Sequence, residues 1–366
     1  MPSEMSGCPL EAVLDPDALE RQIANGLITR RCLVGAEHVV VLNYTAKTVG
    51  HGAWTTETRR CRGLVVDEAS DVLLARPFEK FFDLGQTNVP LGGAMVASEK
   101  WDGSLGILYR RPDGELAITT RGDPNSWQAE AATRLWRERY PDVVVPDGET
   151  WLFEIILPEN RVVVNYGEQR DLVALAAIDM HTGRDLGLPA GFPGPVASRF
   201  DVSGGRLGEV LAELEQVGNK EGLVVFWPAE GVRAKVKLPE YHALHRLTFA
   251  TSNRTIWQTL VEGRNPIDAL TGVPVPDGLP AFVERHVTRL KQEHTRLVAE
   301  AHETVDALPE AVRAERRLAA AAIKQTARPN LAFLALDGRH DALSDAAWRA
   351  VRPVNVEFFA KESADG

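Results

Sequence analysis

Cysteine is scarce in this chain: three in 366 residues (Cys8, Cys32 and Cys61), with no CxxC spacing among them. That scarcity argues against a disulfide framework and against a zinc site, and it fits a reducing compartment. Long apolar runs are missing too, since none approaches the roughly 20 residues that span a bilayer. The opening MPSEMSGCPLEAVLDPDALERQ has no basic region followed by an apolar run, so it does not read as a secretory signal. A cytoplasmic protein without a membrane partner is expected. Positive charge is also short. The formal net charge is -10, which speaks against coating nucleic acid through bulk charge, although one local basic groove is compatible with that average.

What is present is apolar and charged material in ordinary proportion, 44% hydrophobic and 25% charged, over a length comfortable for two domains. Residues 1–245 are dominated by short strand-like runs. HVVVLNYTA, GLVVDEASDVLLARP, SLGILYRRPDGELAITTR, TWLFEIILPENRVVVNY, DLVALAAIDMHTG, LVVFWP and VRAKVKL are rich in Val, Ile, Leu and aromatics. Asp113-Gly114 marks a hairpin candidate in YRRPDGELAIT. Helical spacing appears in NSWQAEAATRLWRERY and VSGGRLGEVLAELEQVG, and DLGLPAGFPGPVASRF reads as loop. This mixture predicts an α+β domain on antiparallel sheets. Residues 246–366 change character. LPAFVERHVTRLKQEHTRLVAEAHETVDAL, LPEAVRAERRLAAAAIKQTA and SDAAWRAVRP carry apolar residues at helical spacing, which predicts a smaller all-helical domain.

The chemistry centres on Glu99-Lys100-Trp101-Asp102-Gly103-Ser104. A lysine before a small turn can project its amine into a cleft, glycine permits close backbone approach, and Ser104 adds a hydroxyl. An amine that attacks phosphorus must be neutral, so neighbouring cations or metal ions are expected to depress Lys100 from the usual value near 10.4. In the strand-like AKVKL, alternation puts Lys235 and Lys237 on one face, where an anion such as a polyphosphate would relieve their repulsion. Arg62 and Lys80 are further cations. Glu154 and Glu221 are strand-edge carboxylates suited to Mg²⁺ or to ribose hydroxyls. Singly, each has a plainer reading as a solvated strand face or an ordinary surface charge. Their order and their shared place at strands and turns carry the argument.

With those residues on the page, the chain resembles the covalent nucleotidyltransferases: ATP-dependent DNA ligases, RNA ligases and mRNA capping enzymes. Lys100 to Gly103 matches the lysine-x-aspartate-glycine nucleophile motif. WLFEI, LVALAAID, EGLVV and AKVKL resemble motifs III, IIIa, IV and V. CRGLVV, RPFEKFFDLG and KLPEYHALH make it similar to the RNA ligases of the bacteriophage T4 RNA ligase 1 group, over about residues 55 to 250. The resemblance implies an antiparallel-sheet, ATP-grasp-like ligase domain using ATP and Mg²⁺, with Mn²⁺ as a substitute. It implies lysyl-AMP on Lys100, phosphate contacts from Arg62, Lys80, Lys235 and Lys237, and a ribose or metal contact from Glu154. Glu221 would bind metal and Glu99 would face adenine through its main chain. Arg121 would stand near motif Ia, and Tyr241 and Ser104 would lie on the substrate side. The IIIa strand lacks the purine-stacking aromatic that the family often has there, so no stacking residue is carried over.

The implied partner is RNA with 5′-phosphate and 3′-hydroxyl ends, a nicked tRNA among them, with a kinase-phosphatase to heal the ends and RNA repair as the setting. Arg285, Arg289, Lys291 and Arg296, then Arg313, Arg316, Arg317, Lys324 and Arg328, form basic stretches of the helical region. Abundant Glu and Asp there favour solvated amphipathic faces over an RNA surface. A capping guanylyltransferase or DNA ligase is the alternative with the same nucleophile, and both normally carry a barrel after motif V where this chain turns helical. A non-catalytic nucleotide- or RNA-binding module is the alternative of another class.

Overall fold

The structure is a computed structural model that describes residues 7–86, 88–90, 93–273, 275–276 and 278–357. The chain divides into two compact units between Ala243 and Leu244. The first strands are β1 (Cys8–Pro9), β2 (Ile28–Leu33), β3 (Ala36–Tyr44), β4 (Arg62–Asp67) and β5 (Val72–Ala75). They form one sheet in the order β1-β5-β4-β3-β2. Next come β6 (Phe82–Asp83), β7 (Val96–Lys100), β8 (Ser104–Arg110), β9 (Leu116–Thr120) and β10 (Glu149–Ile156). The last are β11 (Asp171–Asp179), β12 (Asp185–Gly187), β13 (Arg199–Asp201), β14 (Gly222–Trp227) and β15 (Val232–Lys237). They build a second sheet, β12-β11-β10-β8-β9, and a third, β13-β7-β14-β15-β6. The α+β architecture on antiparallel sheets holds, with one parallel pair, β6 with β15.

Strand alternation explains the layering. On β3 and β4, Val40, Leu42, Leu64 and Val66 face a core with Leu14 and Leu19, while Val39, Val41 and Val65 face a second core. That second core also takes Ile107, Leu152 and Ile178, so it lies between the first two sheets. The far side of the second sheet packs on helix Trp127–Arg139 through Ala132 and Trp136. Ser126 caps that helix by accepting from the Ala129 N–H. The PDG turn closes the expected hairpin between β8 and β9.

Two apolar runs depart from expectation. Residues 162–164 of RVVVNY are not a strand, because the Val163 and Val164 N–H groups donate to the Asp102 carboxylate instead of to a sheet. LPEAVRAERRLAAAAIKQTA is broken into helices Glu310–Ala314 and Arg316–Ile323 by extended backbone at Glu315. The loop-like DLGLPAGFPGPVASRF holds β12 near one end and the start of β13 at the other.

Gly222, at the start of β14, has φ 150°, and a Cβ there would stand 2.0 Å from the Val236 carbonyl oxygen of β15. Gly222→Ala therefore has to push β14 and β15 apart where they pair. We expect a loss of about 3 kcal/mol, seen as a fall of roughly 6–10 °C in melting temperature. An unchanged melting curve would contradict the strand register.

The second unit, Leu244–Lys361, is helical among its described residues apart from one isolated bridge. Its longest helix, Gly278–Asp306, buries Val283, Val287, Leu290, Leu297, Ala301 and Val305 on one stripe. No helix of the described residues is long and apolar enough to cross a membrane.

Candidate active site

Three strands of the third sheet converge on one point. Lys100 ends β7 and lies opposite Gly222 of β14, which in turn lies opposite Lys237 of β15. Glu221 immediately precedes Gly222. Its carboxylate, 2% exposed, accepts from Lys100 Nζ at 2.8 Å and sits 3.1 Å from Lys237 Nζ. Residues 121 positions apart in the chain thus share one ion pair.

The turn after Lys100 is pinned on every side. Asp102 Oδ2 accepts the N–H groups of Val163 and Val164, both at 2.8 Å, and its Oδ1 accepts the Tyr241 hydroxyl at 2.7 Å. The Asp102 N–H donates to the Tyr166 hydroxyl, and the Gly103 N–H donates to Glu154 Oε1 at 2.9 Å. A side chain at 103 would meet the Ile155 carbonyl at 2.5 Å, which is why glycine stands there. Ser104 Oγ exchanges hydrogen bonds with Asn160, away from the Lys100–Glu221 pair.

A second cluster is cationic. Lys235 Nζ has Asp83 at 3.9 Å, and Lys80 Nζ lies over the rings of Tyr44, Trp54 and Phe82. Arg121 Nη1 donates to the Tyr44 hydroxyl at 2.6 Å. Arg62 Nη1 is buried with no hydrogen-bond partner among the described residues. Burial, then the neighbouring cations Arg62 and Arg121, lowers Lys80 to about 8. Burial and Lys80 itself lower Lys235 to about 8. Such a cluster lacks negative charge that a polyphosphate would bring.

Lys100 differs from expectation. Burial alone would push its ammonium down, yet Glu221, Glu154 and Asp102 together hold it above the ordinary lysine value. Its neighbours among the side chains are acids more than cations, so the amine stands as an ammonium paired with Glu221. Glu154 is raised to about 7 by burial, against the opposing pull of Lys100.

The other residues singled out from sequence fall as follows. The Glu99 N–H donates to the Ser198 carbonyl at 2.8 Å and its carboxylate pairs with Lys220, so that N–H is not available to a base. Tyr241 is buried, with its hydroxyl donating to Asp102 and its ring under Lys237, so its hydroxyl serves the turn after Lys100. Sequence reasoning passed over Asp102, Tyr166, Trp54 and Lys220. Asp102 does carry a signal, since it stands inside the lysine-x-aspartate-glycine motif, but the motif alone gives its carboxylate no partner. In the helical unit, Arg296 pairs with Glu293 and Glu300, Arg313 with Asp306, Arg316 with Asp337 and Arg328 with Glu300. Those pairings favour solvated, self-compensated faces there.

Residues 60–186 of the chain match the family described as RNA ligase. The chain is 30% identical over 206 residues to "RNA ligase 1" of Bacteriophage TS2126, covering 48% of this chain and 50% of that protein. It is 28% identical over 204 residues to a protein of Thermovibrio ammonificans that carries the provisional name of RNA ligase, covering 51% and 53%. The chain thus spans about half the length of the curated relatives it matches. Two solved forms of an archaeal ATP-dependent RNA ligase align with TM-scores of 0.46 and 0.44 at 15% and 18% identity. Those alignments cover 78% and 88% of this chain and 81% and 79% of theirs.

Proposed function

We propose that this protein is an ATP-dependent RNA ligase that joins 5′-phosphate and 3′-hydroxyl RNA ends through lysyl-AMP on Lys100. The observation that carries the reading is the convergence of Lys100 and Lys237 on one buried carboxylate, Glu221. Nearby, Lys80 and Lys235 belong to a cationic cluster; burial lowers both pKa values first, then Arg62 and Arg121 lower that of Lys80, and Lys80 lowers that of Lys235. In the proposed first step the Lys100 nitrogen bonds to the α-phosphorus of ATP, the bond to the β-phosphate oxygen breaks, and pyrophosphate leaves. The AMP then passes to an RNA 5′-phosphate, and a 3′-hydroxyl attacks that end and expels AMP. Lys80, Lys235, Lys237 and Arg62 would hold phosphate oxygens, so catalysis rests on positioning and on compensating developing negative charge.

Among the described residues no group of three or more His, Cys, Asp or Glu side chains makes a metal cage. Mg²⁺ does not need one, because it commonly takes one or two carboxylates with waters and substrate phosphates. Glu221, with Glu154 nearby in charge, fits that mode. A bound divalent cation would supply positive charge against Glu221 in place of the Lys100 ammonium, favouring the neutral amine. Lys100 itself must still shed the proton that its three acidic neighbours now favour.

The deciding experiment incubates the protein with labelled ATP or GTP and then supplies 5′-phosphorylated single-stranded RNA or DNA. An acid-labile adduct from ATP followed by RNA joining is expected. An adduct from GTP alone would point to a capping-type enzyme, and no adduct from either would leave a binding module. Broken tRNA as the natural substrate, and healed ends from a kinase-phosphatase, belong to the same proposal. A cytoplasmic setting does as well.

A pH dependence follows. Lys80 and Lys235 are charged at pH 7 and lose that charge as pH rises through about 8, whereas polyphosphate stays anionic. ATP affinity, measured on Lys100→Ala protein so that no chemistry intervenes, should fall about tenfold from near pH 7 to about pH 9.5. A flat profile would remove those two lysines from the phosphate site.

A further inference from the structure

Lys80 has an unusual set of neighbours. Its Nζ lies 5.5 Å from the ring centroids of Tyr44 and Trp54 and 5.4 Å from that of Phe82. All three are within the range of cation–π attraction. Trp54 braces the other two, edge to face with Tyr44 at 5.0 Å and with Phe82 at 5.3 Å, each at 80°. The backbone fixes Trp54 in turn: its N–H donates to the Gly52 carbonyl, and the next residue, Thr55, caps helix Thr56–Arg60 with a capping box. The Lys80 N–H is tied to the Arg59 carbonyl at the end of that helix. No carboxylate of the described residues stands within ion-pair distance of the Lys80 ammonium, whereas Lys100 and Lys237 have Glu221 and Lys235 has Asp83.

We propose that Trp54, with Tyr44 and Phe82, is a positioning residue whose ring holds the Lys80 ammonium in place without neutralising it, for the polyphosphate of the nucleotide. The inference rests on the ATP-dependent reading above. Aromatic faces suit the task because a carboxylate at the same place would compete with phosphate for the cation and repel the nucleotide, whereas a ring attracts the ammonium and carries no net charge. Burial, then Arg62 and Arg121, lowers Lys80 to about 8 against the opposing pull of Asp83, as suits an ammonium that no carboxylate neutralises at close range.

A double-mutant cycle separates this role from mere packing. ATP dissociation constants are measured in Lys100→Ala protein carrying Trp54→Leu, Lys80→Met, or both. With Lys80 present, Trp54→Leu should weaken ATP binding about tenfold, and Trp54→Phe should restore most of it. With Lys80→Met in place, Trp54→Leu should add less than about a twofold loss. An equal loss in both backgrounds, or none in either, overturns the proposal. Should Trp54→Leu not fold, the same cycle with Phe82→Leu, expected to show the same dependence on Lys80, decides it by the same criterion. Failure of the parent protein to bind ATP at all would instead sink the ligase reading.

Discussion

Lys100→Ala protein incubated with labelled ATP is expected to retain no acid-labile nucleotide, a loss of about 10⁴-fold or more in adduct formation. The fold should survive. Lys100 ends a strand whose backbone pairing does not need its side chain, and that side chain is 24% exposed. Its removal leaves Glu221 with Lys237 at 3.1 Å, so the buried carboxylate keeps one cation. Melting should therefore shift little while the adduct vanishes. Undiminished adduct formation by Lys100→Ala protein would place the nucleophile elsewhere.

Asp102→Ala should be the most damaging change to the site's frame. The substitution strips acceptors from the Val163 N–H, the Val164 N–H and the Tyr241 hydroxyl at once. Each buried donor left unsatisfied costs about 1–3 kcal/mol, so a total near 4 kcal/mol is expected. Tyr241 and Asp102 are both buried, which leaves water little room to replace the carboxylate. Loss of that clamp also releases the turn that aims Lys100. At a temperature where the variant stays folded, adduct formation should still fall by about 10²-fold. Denaturant titration with parallel adduct measurements checks both halves. A variant with normal stability and normal adduct yield would contradict the clamp.

Much of this site could be read from the chain alone because its components lie on short, strongly patterned strands. Short apolar runs rich in Val, Leu, Ile and aromatics make β3, β4, β10, β11 and β14 visible. The charged positions Lys100, Glu221, Lys235 and Lys237 stand at or near strand ends, where period-two alternation predicts shared faces. The antiparallel core was legible for the same reason. What escaped depends on contacts distant in sequence. Nothing local in Val162, Val163 and Val164 signals that their backbone serves Asp102 in place of a sheet partner; three valines read as strand. Trp54 sits in a short turn with no motif around it, and its meaning comes only from Lys80, Tyr44 and Phe82 meeting it in space. The charge state of Lys100 is not legible from the motif. The chemistry demands a neutral amine, whereas, against the effect of burial, Glu221 and Glu154, distant in sequence, and Asp102 in the turn hold it above the ordinary lysine value. In the helical unit, Arg296, Arg313, Arg316 and Arg328 from the basic stretches turn out to pair with carboxylates, which the run of charge in sequence does not show.

The most direct test is to digest the protein after brief exposure to ATP and Mg²⁺ and to map the modified peptide by mass spectrometry. One adenylyl group on the peptide containing Lys100, fixed to that side chain, is the predicted result. An adenylyl group on Lys80, Lys235 or Lys237 instead, or its persistence on any peptide of Lys100→Ala protein, would contradict the account.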